Sequence, residues 1–182
     1  MKHPLEAIPH GKRLGVFLVL LALFLVITIG FRFIGPAQPT IVDFELAGTT
    51  TRATEIINTW DAADKVRAGF SLGFDFLYMP VYSTLIALAC VWAAGVLALR
   101  QWRTTGVLLA WGLWAAALLD AIENVALTVL LFGTVANPYP QVAQVCASIK
   151  FGLILLGLVF ALVAAIIFLV KKAGGAKSKA AA

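Results

Sequence analysis

Asp120, Glu123 and Asn124 stand at spacings of 3 and 4 inside the apolar stretch Leu118 to Leu130. On a helix those spacings set all three side chains on one face, with Gly112 and Ala116 on the turns before them and Thr128 on the turn after. Paired carboxyls of this kind suit three kinds of chemistry: holding a cation, passing a proton, or acid and base work on a bound molecule. An ionised carboxylate at mid-bilayer costs ~2.5–3.5 kcal/mol even on the lenient insertion scale. Two on one face therefore require partners, protons or water from neighbouring helices.

Those neighbours follow from composition. Of 182 residues, 62% are hydrophobic and 13% charged, and the mean hydropathy is +0.96. This composition predicts an all-α integral membrane protein. The net charge of +5 comes from basic residues at the ends of apolar runs, a positive-inside pattern, and nucleic acid is excluded as a partner. His3 and His10 both precede the first apolar run, which excludes a haem held by intramembrane histidine pairs. Cys90 and Cys146 form no metal-ligand spacing, and no cofactor or metal is expected.

The predicted architecture is a four-helix bundle with a short amphipathic helical segment between helices 1 and 2. A polar tail, 1–13, leads into a retained first span, 14–34, whose length exceeds a signal-peptide core and which is closed by Pro36 and Pro39. Segment 35–69 is extracytoplasmic. In it Thr40 and Asp43 have capping-box spacing, Gly48 closes a short helix containing Phe44 and Leu46, and a stripe of Ala53, Ile56, Ile57 and Trp60 lies on the bilayer or caps the bundle. Asp61 is the expected N-cap of the helix that enters the second span, 70–99, where Pro80 predicts a kink relieved by Ser83 and Thr84. Gln101 to Thr105 is a tight connection, the third span is 106–132 and the fourth 142–170, and a disordered cytoplasmic tail follows at 171–182. Lys and Arg number nine across the two tails and the middle connection, against three in the first long loop, so both termini are expected in the cytoplasm of a cell-membrane, bacterial inner-membrane topology.

Depth then brings the ionisable groups together. At ~1.5 Å per residue from the basic flanks, Asp120 lies about 25 Å up its helix, Glu123 about 30 Å, Lys150 about 31 Å and Asp75 about 37 Å. Lys150 shares a stripe with Ala143, Ala147, Gly157, Ala161 and Ala164, a small-residue face suited to helix packing, so it is expected to point inward at Glu123 or Asp120. Asp75, Tyr78 and Tyr82 form one stripe on the second span. The predicted ligand-binding set is Asp75, Tyr78, Tyr82, Asp120, Glu123, Asn124 and Lys150, an acidic outer-leaflet pocket for a small cation, a proton or an amphipathic, lipid-like ligand, for binding or transport. Two other functions fit the same residues: an accessory subunit whose polar layer only specifies packing, and an intramembrane acid/base isomerase or hydrolase. The accessory subunit is the nearer alternative and the enzyme the further one. Membrane lipids and a homo-oligomer formed through the small-residue faces complete the expected partners.

Overall fold

The computed structural model describes residues 2–96 and 100–180. These form six α-helices: α1 (His10–Ile34), α2 (Ile41–Glu45), α3 (Thr50–Thr59), α4 (Ala62–Val96), α5 (Arg100–Phe132) and α6 (Tyr139–Ala180). No strand occurs among the described residues. Four of the helices, α1, α4, α5 and α6, are long and apolar enough to cross a membrane. The last residues of the expected second span, 97–99, and the end of the expected disordered tail, 181–182, lie outside the described residues.

Helices α4, α5 and α6 form the packed centre, and α1 leans chiefly on α4. Small residues permit the closest approaches. A Cβ on Gly106 would stand 2.7 Å from both the Cβ of Ala94 and the carbonyl oxygen of Cys90, so α5 lies directly against α4 at its start. On α6, the stripe of Ala143, Ala147, Gly157 and Ala164 is buried within the chain, which occupies that face internally.

Two apolar clusters stack along the bundle. One joins Leu88 and Cys90 of α4 to Leu113 of α5 and Phe160 of α6. The other joins Phe44, Ile56 and Trp60 of α2, α3 and the turn after it to Leu72, Leu127 and Ala143. The segment between α1 and α4 therefore caps the bundle with the stripe its periodicity gives. Thr40 and Asp43 close a reciprocal capping box on α2, and the Trp60 indole donates to the carbonyl of Pro39 at 2.8 Å. The Thr40 hydroxyl, followed by the Thr40 amide, donates to the Asp43 carboxyl and holds it below the usual range. Gly48, at φ +67°, turns the chain out of α2 in the left-handed region where a side chain is strained. Asp61 accepts from the Asp64 amide at 2.8 Å and so caps α4.

Three local readings change. Gln101 to Thr105 is not a connection: it forms the first turns of α5, where the Thr105 hydroxyl donates to the Gln101 carbonyl at 3.1 Å. Ser83 donates to the carbonyl of Pro80, at 3.5 Å, and not to the Phe76 carbonyl that the proline frees, and α4 continues through Pro80. The N-terminal tail is folded. His3 caps a 3-10 turn over Pro4–Ala7 with a capping box completed by Glu6, and its buried ring stands edge-on to Trp111 and Trp114, centroids 4.8 and 4.5 Å away. Arg13 donates to the carbonyls of Ile8 and Glu6, and Arg103 reaches the Glu6 carboxylate at 3.0 Å. The hydrogen bond from the His3 amide, followed by Arg103, holds Glu6 below its usual range, while burial pushes His3 down.

Candidate functional site

The seam between the two apolar clusters is polar. Along α4 it falls at Asp75, along α5 at Asp120 to Asn124, and along α6 at Lys150, one level on three helices. Lys150 is the hub. Its ammonium donates to Asp120 Oδ1 at 2.8 Å and to Glu123 Oε1 at 3.0 Å, and lies 3.6 Å from Glu45 Oε2. All four of these charged side chains are buried. Such a clamp holds firmly only while both signs are present, because removing one partner leaves the other charge uncompensated.

The remaining bonds fix each acid from its outer side. The Tyr82 hydroxyl donates to Asp120 Oδ2 at 2.8 Å, so this carboxylate is bonded at both oxygens. The Asn124 amide donates to the Leu72 carbonyl at 3.2 Å and to Asp75 Oδ2 at 2.9 Å, which joins α5 to α4. Tyr78 looks toward α1: its hydroxyl accepts from Thr28 at 3.3 Å, and its ring stacks on Phe24 with centroids 5.4 Å apart. Comparison with protein families, with curated proteins and with solved structures finds no match. The chemistry of the site rests on its own geometry.

A cavity of about 850 Å³ opens on this layer, within the size range of small-molecule sites. Six of the seven residues expected from sequence line it: Asp75, Tyr78, Tyr82, Asp120, Asn124 and Lys150. Glu123 does not. It is fully buried and accepts from Lys150, which does line the cavity. Beyond the polar end the walls are apolar, with Phe24 of α1, Ile86 of α4, and Ile154 and Leu158 of α6. A second cavity of about 400 Å³, bounded by Trp92, Ala164 and Phe168, shares Phe17, Ala89 and Ala161 with the first and continues the cleft. From Asp75 to Ala93 on α4 the cleft runs 18 positions, ~27 Å at helical rise.

Glu45 is the residue that sequence reasoning missed. It ends α2, lines the cavity beside Lys150, and is buried. Burial pushes its carboxyl above the ordinary range, with the Lys150 charge opposing and the Asp120 charge reinforcing the shift. A signal was present: Ile41, Phe44 and Glu45 stand at spacings of 3 and 4, so the helix that buries Phe44 also turns Glu45 inward. With it, four carboxyl groups (Glu45, Asp75, Asp120 and Glu123) surround one lysine, a formal balance of minus three. Arg32, at the end of α1, also lines the cavity. Among the described residues no His, Cys, Asp and Glu grouping fits a metal ion.

Proposed function

We propose that this chain is a multi-pass membrane protein, with both termini on the cytoplasmic side of a bacterial cell membrane, that binds an amphiphile with an ammonium head. The head sits among Glu45, Asp75 and Asp120, and the tail lies in the cleft between α1 and α6. The membrane setting is supported by the outward faces of the long helices. Val26, Phe33, Leu118 and Leu155 are each more than 60% exposed, a burden that acyl chains relieve and water does not. The start of α1 and the later turns of α6 lie toward one end of the bundle, since Glu6 pairs with Arg103 at the start of α5 while Phe17, Trp92 and Phe168 share one cavity.

One observation carries the ligand class. Glu45 lines the cavity, and its buried Oε2 has no hydrogen-bond donor among the described residues, the Lys150 ammonium standing 3.6 Å away. A buried acceptor without a donor is costly, and an excess of carboxylate over ammonium makes a cationic donor the fitting occupant. An apolar tail follows from the walls, and the ~27 Å cleft nearly matches a ~30 Å hydrocarbon layer.

The test uses dodecylamine against dodecanol, titrated into the purified chain in a nonionic detergent. The amine is expected to bind and the alcohol to bind much more weakly. Asp75→Asn, which keeps a side chain of the same shape beside Asn124, should cost about 1.5–3 kcal/mol of amine binding, roughly 10–150-fold. Equal binding of amine and alcohol, or an unchanged affinity in Asp75→Asn, overturns the proposal.

A packing-only role is favoured by one feature, the Lys150 clamp, which ties α2, α5 and α6 together with no ligand required. The two readings part at Asp75, whose bond is to Asn124. Its neutralisation costs ligand in the first reading and has no binding consequence in the second.

A further inference from the structure

We propose that Glu45 and Glu123 share one proton while the cleft is empty, and that an ammonium head settling against Glu45 displaces it, so that the site exchanges a cation for a proton. The inference rests on the amphiphile reading above and adds to it what leaves when the ligand arrives.

The geometry favours a shared proton. Glu45 Oε2 and Glu123 Oε2 are both buried and both lack a hydrogen-bond donor, and the two carboxyl groups lie 3.6 and 3.0 Å from the one Lys150 ammonium. An ionised carboxylate only accepts hydrogen bonds, so two buried ones gathered on one ammonium, each with an oxygen that has no donor, favour holding a proton. Lys150 does not remove that preference. It gives its close bonds to Asp120 Oδ1 and Glu123 Oε1, and stands 3.6 Å from Glu45, beyond a good hydrogen bond. Asp120, by contrast, takes Lys150 on one oxygen and Tyr82 on the other.

The surroundings are set for exchange. Asp75 and Tyr82 on α4, Asp120 on α5 and Lys150 on α6 face the cavity with Glu45, together with Tyr78 and the Arg32 side chain, while Cys146 on α6 lies near Glu123. Burial already favours the neutral acid at Glu45. A second cation beside Glu45 reverses that preference, because an opposite charge within ~4–6 Å favours the ionised form. In the step, the O–H bond of the shared acid breaks and its electron pair stays on the carboxylate. The proton leaves through the cavity mouth, and the ammonium keeps all its hydrogens. One positive charge arrives and one departs, so the net charge of the buried layer is the same before and after.

The experiment is titration calorimetry of the full chain in nonionic detergent with dodecylamine near pH 7, once in phosphate and once in Tris, whose heats of ionisation differ. The difference between the two heats gives the protons released. About one per amine is expected for the wild-type chain. Glu123→Gln removes one owner of the proton, and release should fall to near zero in that variant. Glu45→Gln on the cap helix is the second variant, with the same expectation, should the first fail to assemble. An infrared band of a protonated carboxyl, present without amine and lost on adding it, is the matching spectroscopic sign. Amine binding with identical heats in both buffers overturns the exchange and leaves the amphiphile reading standing, as does undiminished release in both variants. Absence of amine binding overturns the amphiphile reading and the exchange with it.

Discussion

Replacing Lys150 by methionine tests the centre of the molecule, because it removes the charge and keeps most of the stem. The ammonium makes two close charged bonds, at 2.8 Å to Asp120 and 3.0 Å to Glu123, with Glu45 at 3.6 Å. Hydrogen bonds to charged groups contribute about 1.5–3 kcal/mol each, which puts the loss at about 3–6 kcal/mol. Measured losses on breaking buried pairs, about 3–5 kcal/mol, give the same range by a separate route. For a chain of this length that corresponds to a melting temperature lower by about 6–24 °C. The protein carries its own reporters. Cys90 and Cys146 are both free and buried, and a dye that fluoresces on reacting with thiols will report their exposure as the bundle opens. Adding Asp120→Asn to Lys150→Met removes one stranded carboxylate and should recover a large part of the loss. A Lys150→Met protein that melts within about 1 °C of wild type would refute the reasoning that this lysine holds α2, α5 and α6 together.

Three further outcomes are expected. Tyr82→Phe removes the hydroxyl bonded to Asp120 at 2.8 Å and should cost about 1.5–3 kcal/mol in the same thiol melt, since the acceptor is charged. Gly106→Val would press against Ala94 and the Cys90 carbonyl and should destabilise by about 1–3 kcal/mol, while the same change at Gly73, where nothing lies within 4 Å, should cost less. The N-terminal cap should loosen in acid. Burial lowers the folded-state pKa of His3 below its ordinary value of 6.5, so the unfolded form takes up the proton first, and docking is complete above about pH 6.5 and weakens as the pH falls through the lowered value. Protonation also takes from Nδ1 the lone pair that accepts the Leu5 amide. A red shift in the fluorescence of Trp111 and Trp114 below that pH, lost in His3→Leu, checks it.

Much of the architecture was legible because membrane-length apolar runs are a strong signal and because buried charge is rare enough to point at itself. Asp120, Glu123 and Lys150 were traceable from depth and helical face alone, and the bonds joining them follow from that placement. Thr40, Asp43, Asp61 and Gly48 were readable as caps and a turn, since those roles depend on one or two neighbouring residues. Glu45 was harder to see. It lies in a five-residue helix too short to show a periodic face, and its burial depends on where that helix docks. His3 was hidden for a similar reason: the His3 to Glu6 capping spacing was present, but the pocket that accepts the ring is made by Trp111 and Trp114, more than 100 residues away. The cleft was not legible at all, because it follows from α1 leaning on α4 and leaving α6 uncovered, a choice among packings that hydropathy leaves open.

That same placement of α1 has a practical consequence for measuring anything that occupies the cleft. A guest reaching it sideways must first dissolve in the surrounding oil, so its strength read against aqueous concentration contains the cost or gain of partitioning. Two homologous amines differing by a few methylenes would then appear to differ in recognition when they differ only in solubility. Expressed per mole of lipid or detergent, the discrimination left over belongs to the carboxylates.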